Sequence, residues 1–342
     1  MHNLKLGMIV LLLVGIAGKT MADEVDVKRS EKSQQAGFCH YDPGQGGWER
    51  INRMTEEILS TQDPSYVILS PHYGMGASFG SDTTSRNILF EGRISHRFHV
   101  FGLSCLSKLS RDHLEGFLSF NPKIILRMYR GTSVPVKTPS YMPDFTWFFW
   151  RPDWSRGSNR WFVSARIGHH SNGQSGPFMR AGSVNTEDGN FSTNYWRFGM
   201  HNFRHEQTLD WSWELAFTSH FGSSNGFFSR ERGLEGQYEK QKFSLGLKAG
   251  GSDVAAGWVR AINAALNIDY ISKGKDYVVK PVQRASFADR WNLSAELMVR
   301  PYFFEDMQLF AKYDFGYDYY NIHFQERINR VMLGIAGVIG GR

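Results

Sequence analysis

The 342-residue sequence predicts an all-β protein, a transmembrane antiparallel β-barrel of about twelve strands, and three observations carry that prediction. Apolar and polar residues alternate with period two through segment after segment, the mark of strands with one face in oil and one in a polar setting. Composition agrees: 15% aromatic residues with ten Trp, 35 Gly and only 11 Pro suit short strands, Gly-bearing corners and aromatic belts. Beyond the first residues, no run of roughly 18 is free of charge, which excludes a helical membrane protein.

The chain opens with a weakly charged Met1–Lys5, then Ile9, Val10, Leu11, Leu12, Leu13, Val14 and Ile16, then Thr20-Met21-Ala22 before Asp23. That order reads as a signal peptide over 1–22, too short to span a bilayer and stay. Residues 23–64 are mixed, polar and Gly-containing, and are expected to form an N-terminal periplasmic or plug-like extension. Residues 65–342 are the barrel. Strands are expected near 66–78, 87–100, 115–131, 141–151, 160–171, 191–204, 206–220, 238–250, 260–272, 288–301, 305–320 and 327–338. The alternation is plainest where Trp211, Trp213, Leu215 and Phe217 interleave with Ser212, Glu214, Ala216 and Thr218, and where Trp291, Leu293, Ala295, Leu297 and Val299 interleave with Asn292, Ser294, Glu296 and Met298.

A net charge of +6 is modest and scattered, and points to solvated loops and an anionic lipid surface rather than to nucleic acid. Two cysteines, Cys39 and Cys105, are chemically free to pair in an exported protein, and their spacing decides nothing.

One stretch carries chemistry: Arg160-Trp161-Phe162-Val163-Ser164-Ala165-Arg166-Ile167-Gly168-His169-His170-Ser171-Asn172-Gly173. On a strand, Trp161, Val163, Ala165, Ile167, His169 and Ser171 share the apolar, lipid-directed face, while Ser164, Arg166 and His170 face the lumen. A serine hydroxyl needs an adjacent base, and imidazole suits; His169 and Ser171, two apart, are close enough to act together. The imidazole needs a third group to hold it, and Asn194 on the next strand again falls on the lipid-directed face. A polar group there is costly unless it has a partner. The outward face of Trp161, Val163, Ala165 and Ile167 is expected to be convex, with no cleft for a lipid chain in a single barrel.

The run His169-His170-Ser171-Asn172-Gly173 resembles the His-x-Ser-Asn-Gly motif of the outer-membrane phospholipase A family. Asn194, in Phe191-Ser192-Thr193-Asn194-Tyr195-Trp196, is similar to the asparagine that orients that family's histidine. Ser133-Val134-Pro135 through Tyr141-Met142-Pro143 and Phe324 through Val331 resemble its fourth and last strands. The resemblance implies a calcium-dependent carboxylic ester hydrolase (phospholipase A1/A2) in the outer membrane of a Gram-negative bacterium. It further implies phospholipid and lysophospholipid substrates, a homodimer when active, and His169, Ser171 and Asn194 as its catalytic residues. For calcium it implies Ser133 and Gln174 through their carbonyls. The family's acidic ligand is Gly176 here, whose lost carboxylate Asp188 is able to restore, and Ser192 or Asn190 is able to stand in for the family's hydroxyl ligand, whose match an insertion disturbs. A lipid A deacylase and a non-catalytic pore or adhesion scaffold are the alternatives.

Overall fold

The computed structural model describes residues 53–55, 57–58, 63–69, 88–102, 114–129, 136–154, 158–206, 208–222, 231–252, 257–274, 277–279, 282–284, 286–305 and 307–337. The signal peptide, most of the N-terminal extension, both cysteines and Ser133 lie outside the described residues. The strands are β1 Ser65–Leu69, β2 Ile88–Ile94, β3 Phe98–Gly102, β4 Glu115–Tyr129, β5 Val136–Trp150, β6 Asn159–Ser171, β7 Met179–Arg180, β8 Ser183–Val184 and β9 Ser192–His205. They continue as β10 Asp210–Phe221, β11 Glu239–Ser252, β12 Val259–Gly274, β13 Tyr277–Val279, β14 Val282–Arg284, β15 Trp291–Pro301, β16 Met307–Tyr317 and β17 Arg327–Gly337.

Pairs β7–β8 and β13–β14 are small hairpins within loops. The other thirteen segments form one antiparallel sheet that closes on itself, because β1 pairs with both β17 and β2, and β2 pairs with β4. Ile94 faces Ile124 and Phe98 faces Phe120, so β2 and β3 follow one register along β4 and count as one strand interrupted at 95–97. The result is a closed barrel of twelve strands, which leaves no open edge.

The distribution of side chains is inverted relative to a water-soluble sandwich. Phe198, Met200, Leu215, Phe243, Leu297, Leu309 and Leu333 are exposed on the outer wall, whereas Glu91, Arg93, Arg127, Asp144, Glu296 and Arg330 are buried inside. An apolar exterior around a polar lumen is the arrangement that lipid selects. Among the described residues no helix is long and apolar enough to cross a membrane.

The lumen is filled. Glu91 accepts hydrogen bonds from Tyr66 Oη at 2.7 Å and from Arg127 and Arg330, while Arg127 also forks onto Asp318, Arg330 and Lys312 reach Asp314, and Arg93 pairs with Glu296. Buried charges are tolerated only when paired in this way. One barrel end is plugged by Met54 and Ile58 packed on Phe117, Phe148, Trp150 and Phe162. The other is capped by Phe178, Phe191, Leu234, Tyr238, Ile322 and Phe324, which come mainly from loops.

Strand β5 begins at Val136, five residues before the expected 141. Pro139 and Pro143 argue against a strand because neither can donate to a ladder. The barrel accommodates them with a register shift between Ile125 and Arg127 on β4, and with a β5–β6 ladder that pairs Tyr141 with Ser171 and resumes at Asp144 with Gly168.

Candidate active site

Strand β6 alternates as its sequence requires. Phe162, Ser164 and His170 are buried, and Trp161 is exposed on the opposite face. His170 points inward, where its Nε2 lies 3.0 Å from Ser140 Oγ and its ring meets Phe191 edge-on. His169 and Ser171 therefore share the outer face, at the end of β6 beside the loop-capped mouth.

The β6–β9 register sets Ser171 opposite Ser192 and His169 directly opposite Asn194. His169 Nδ1 is 2.8 Å from Asn194 Oδ1. Since the amide oxygen only accepts, His169 carries its proton on Nδ1 and leaves Nε2 as the basic nitrogen. Asn194 is 1% exposed although its strand position faces outward, so its amide is shielded from solvent at the point where it holds the imidazole. Ser171 Oγ has no hydrogen-bond partner among the described residues, and His169 is bonded to Asn194 instead.

Two glycines shape the strand end. Gly168 lies under the Tyr195 ring, and a Cβ there would come within 2.2 Å of it, so only glycine lets β9 close over β6 at the position before His169. Gly173 has φ +64, the left-handed region that turns the chain sharply after the motif. Its flanking N–H groups are engaged, Asn172 N by Phe191 O at 3.2 Å and Gln174 N by Asn172 Oδ1 at 3.2 Å. The Gly173 N–H takes no acceptor among the described residues, two residues from the Ser171 hydroxyl.

Asn172 is a hub that sequence reasoning quoted within the motif but gave no task. Fully buried, it sets Nδ2 2.7 Å from Gln174 Oε1, from Gly189 O and from Asn321 Oδ1, and it accepts from Phe191 N at 3.1 Å. Asn321 in turn donates its backbone N–H to Ser140 Oγ at 2.6 Å, which links it to His170. The place of Asn172 on the inward face next to Ser171 was the available signal, but its partner stands 149 residues away.

Of the four residues expected around calcium, three are described, Gln174, Asp188 and Ser192. Ser133 is outside the described residues. The Gln174 side chain bonds Asn172 and Glu187 O at 3.0 Å, and the Ser192 backbone carbonyl accepts from Glu231 N; the Gln174 carbonyl and the Ser192 hydroxyl, the atoms the resemblance implies, take part in none of these bonds. Asp188 does lie where a Gly176 side chain would project, its Cγ 2.7 Å from an ideal Cβ. Its Oδ1, however, already receives Arg180 Nη2 at 2.9 Å and Asn185 Nδ2 at 2.7 Å, so the position holds a solvent-exposed ion pair. Among the described residues no group of three or more His, Cys, Asp or Glu side chains could hold a metal. The Asp188 carboxylate, engaged by Arg180 and Asn185, thus does not fit the ion as it stands.

The outer wall departs from expectation. A shallow depression of about 590 Å³ runs across β6, β9 and β10, lined by Val163, Ala165, Phe198, Met200, Leu215 and Phe217 among others. A single barrel therefore has a concavity on its lipid face, because the small Ala165 stands beside bulky neighbours.

No protein-family model matches the sequence, and no curated relative does. Solved structures do. The outer membrane phospholipase A of Escherichia coli is 14% identical, over 81% of this chain and 92% of that one, with a TM-score of 0.49. A Salmonella typhi outer membrane phospholipase dimer with bound calcium is 15% identical, over 81% and 90%, with a TM-score of 0.47. Over four-fifths of its length the chain is similar in structure to outer membrane phospholipases A.

Proposed function

We propose that this barrel sits in the outer membrane of a Gram-negative bacterium and hydrolyses acyl ester bonds of phospholipids and lysophospholipids on its lipid-facing side. The observation that carries the reading is the 2.8 Å bond from His169 to a shielded Asn194, on the same outward face as Ser171. Polar groups turned to lipid are expensive, and a paired imidazole beside an unpartnered hydroxyl is what an esterase needs there.

In the reaction, His169 Nε2 takes the Ser171 proton as Oγ attacks the ester carbonyl. The Gly173 N–H donates to the oxygen that becomes negative. Protonated His169 then delivers its proton to the departing glycerol oxygen, leaving Ser171 acylated. Water, deprotonated by His169, releases the fatty acid and restores the hydroxyl. Asn194 keeps the ring in the productive tautomer throughout. No step runs through calcium, since Asp188 is held by Arg180 and Asn185. The calcium and the dimer seen in the Salmonella protein enter as conditions to be tested. The lumen packed with ion pairs speaks against an open pore.

The deciding experiment incubates purified protein with phospholipid vesicles and, separately, with lipid A, identifies released fatty acids, and labels the protein with a fluorophosphonate. Fatty acid from phospholipid, with label lost in Ser171→Ala, is the expected result. Release from lipid A alone would make it a deacylase, and neither release nor label would return it to a non-catalytic barrel.

A further inference from the structure

We propose that the barrel rim over β11, β12 and β15 seats a membrane lipid bearing a phosphomonoester, with its phosphate between Lys240 and Lys273 and its chains on a shelf of Tyr270, Phe287 and Trp291. The place is set apart from Ser171, since β9 and β10 stand between β6 and β11, and the inference does not rest on the hydrolase reading.

Two bulges build the headgroup end. Glu239 pairs with Gly274, Gln241 with Lys273 and Lys242 with Ile271, so Lys240 on β11 and Ser272 on β12 are each left without an opposite residue. A bulge re-aims the side chains around it. Lys242 turns into the lumen, where it pairs with Glu239 and Asp269, and strict alternation would send Lys240 the same way. Lys240 is instead exposed and, with Lys273, lines a cavity of about 280 Å³ beside Tyr238 at the loop-capped mouth. Gly274, at φ +82, lets the two strand ends close, because a Cβ there would come within 2.6 Å of Lys240 N. Neither lysine makes an ion pair among the described residues. Arg290 adds a third cation, its Nη1 donating to Ile271 O and Gly274 O at 3.2 Å, and Glu235 is the acid in the cavity wall. Three cations against one anion leave a surplus of about two positive charges, which matches the roughly −1.5 to −2 of a phosphomonoester at neutral pH. The connection 273–284 has the same bias in sequence, with Lys273, Lys275, Lys280 and Arg284 against Asp276.

The tail end lies beneath it on the same strands. Phe243 pairs with Tyr270 and Tyr270 with Trp291, so this row shares the outer face with the exposed Phe243. Ring centroids are 4.9 Å apart for Tyr270 and Trp291, 5.8 Å for Tyr270 and Phe287 and 5.7 Å for Phe287 and Trp291, and Phe287 is 69% exposed. Aromatic clusters on the outer wall of a barrel mark the border between hydrocarbon and headgroups. Lys273 stands three residues beyond Tyr270, which at ~3.3 Å per residue and a strand tilt of about 40° is roughly 8 Å farther from the bilayer centre. A headgroup layer is itself ~5–8 Å deep, so the ammonium groups stand at phosphate level while the rings meet the first methylenes. A phosphodiester brings a single charge to this surplus and a zwitterionic lipid none net, which favours the monoester.

The test titrates the purified full-length protein in dodecyl maltoside with ether-linked phosphatidic acid, a phosphomonoester, or ether-linked phosphatidylglycerol, a phosphodiester, and counts bound lipid by native mass spectrometry. Phosphatidic acid is expected to bind several-fold more tightly. Lys240→Gln and Lys273→Gln are each expected to weaken it ~5-fold and the double variant ~30-fold, the usual pull of surface lysines on anionic lipid. Arg260→Gln, an exposed charge at the other end of β12, is expected to stay within about twofold. Both lysines are exposed, so the variants keep the fold. Equal binding of the two lipids, or a loss in the lysine variants no larger than in Arg260→Gln, would overturn the proposal. Inorganic phosphate is expected to compete weakly, and displacement of phosphatidic acid at the lipid's own concentration would show that the shelf adds nothing and overturn the seating. Phe287→Ser is expected to weaken both lipids alike, and unchanged affinity for both would overturn it too. Neither lipid carries an acyl ester, so a wild-type protein inert toward phospholipid would remove the hydrolase reading and leave this result standing.

Discussion

Replacing Asn194 by Leu removes the acceptor for His169 Nδ1 while keeping the side chain's bulk in a shielded position. Deleting one partner of a shielded hydrogen bond costs ~1–3 kcal/mol. If that bond serves to hold the imidazole, the cost appears in the transition state, and at ~1.4 kcal/mol per tenfold the rate falls ~5- to ~150-fold. The loss is expected in kcat with KM little changed, because Asn194 touches the base and not the lipid. Asn194→Asp supplies the same acceptor and adds a charge that favours the imidazolium, so it is expected to recover most of the rate. The assay is fatty acid release from short-chain phosphatidylcholine in micelles, with folding checked by the heat-dependent gel mobility of the barrel. An Asn194→Leu enzyme of wild-type speed, or equal losses in the Leu and Asp variants, would show that the 2.8 Å contact is incidental.

Ser171→Ala and His169→Ala are expected to reduce hydrolysis to background with the barrel intact, whereas His170→Ala, whose ring faces Ser140 inside, keeps most activity; equal losses at both histidines would contradict the facing. Excess chelator is expected to change the rate by no more than about twofold, because Asp188 already carries Arg180, and abolition reversed specifically by calcium would refute that and restore Asp188 as a ligand. Burial on its own would raise the Asp318 carboxyl, but Arg127 and Arg330 beside it win and hold it below the usual range. Its folded value being the lower one, its stabilisation is complete above about pH 4 and disappears as pH falls through the depressed value. Asp318→Asn should therefore lower the unfolding free energy by ~3–5 kcal/mol at neutral pH, and a denaturant midpoint unchanged there would count against the pair. Gly168→Ala, whose Cβ would strike Tyr195, is expected to impair both insertion and activity, which gel mobility and turnover would report.

Period-two patterning made β10, β11 and β15 legible because one face of each meets lipid and the other a charged lumen. It also turned His170 inward and His169 outward without any tertiary information. Strand β5 was expected from 141 although it begins at Val136, and only the neighbouring ladders reveal how a barrel absorbs Pro139 and Pro143. The pairing of His169 with Asn194 depends on register across a long connecting loop, which alternation narrows to a face but not to a partner. Asn172 and Asn321 were illegible as a pair, since nothing local connects residues so far apart. The hollow at Ala165 depends on neighbours from several strands, and alternation along one strand carries no record of them.

The Asn172–Asn321 contact ties the chain's chemistry to the order of its own assembly. Asn321 belongs to the hairpin between β16 and β17, and β17 is the strand that meets β1 to shut the wall. Without that hairpin in place, the turn after Ser171 lacks one of its anchors. A chain in transit, or one threaded into the membrane but still open along a seam, would carry every reactive group and yet hold them loosely. On the hydrolase reading proposed above, lipolysis would then begin only on completion, a safeguard where the substrate is the membrane that receives the chain. A chain truncated after Tyr317 that still cleaved lipid at full rate would show that no such safeguard exists.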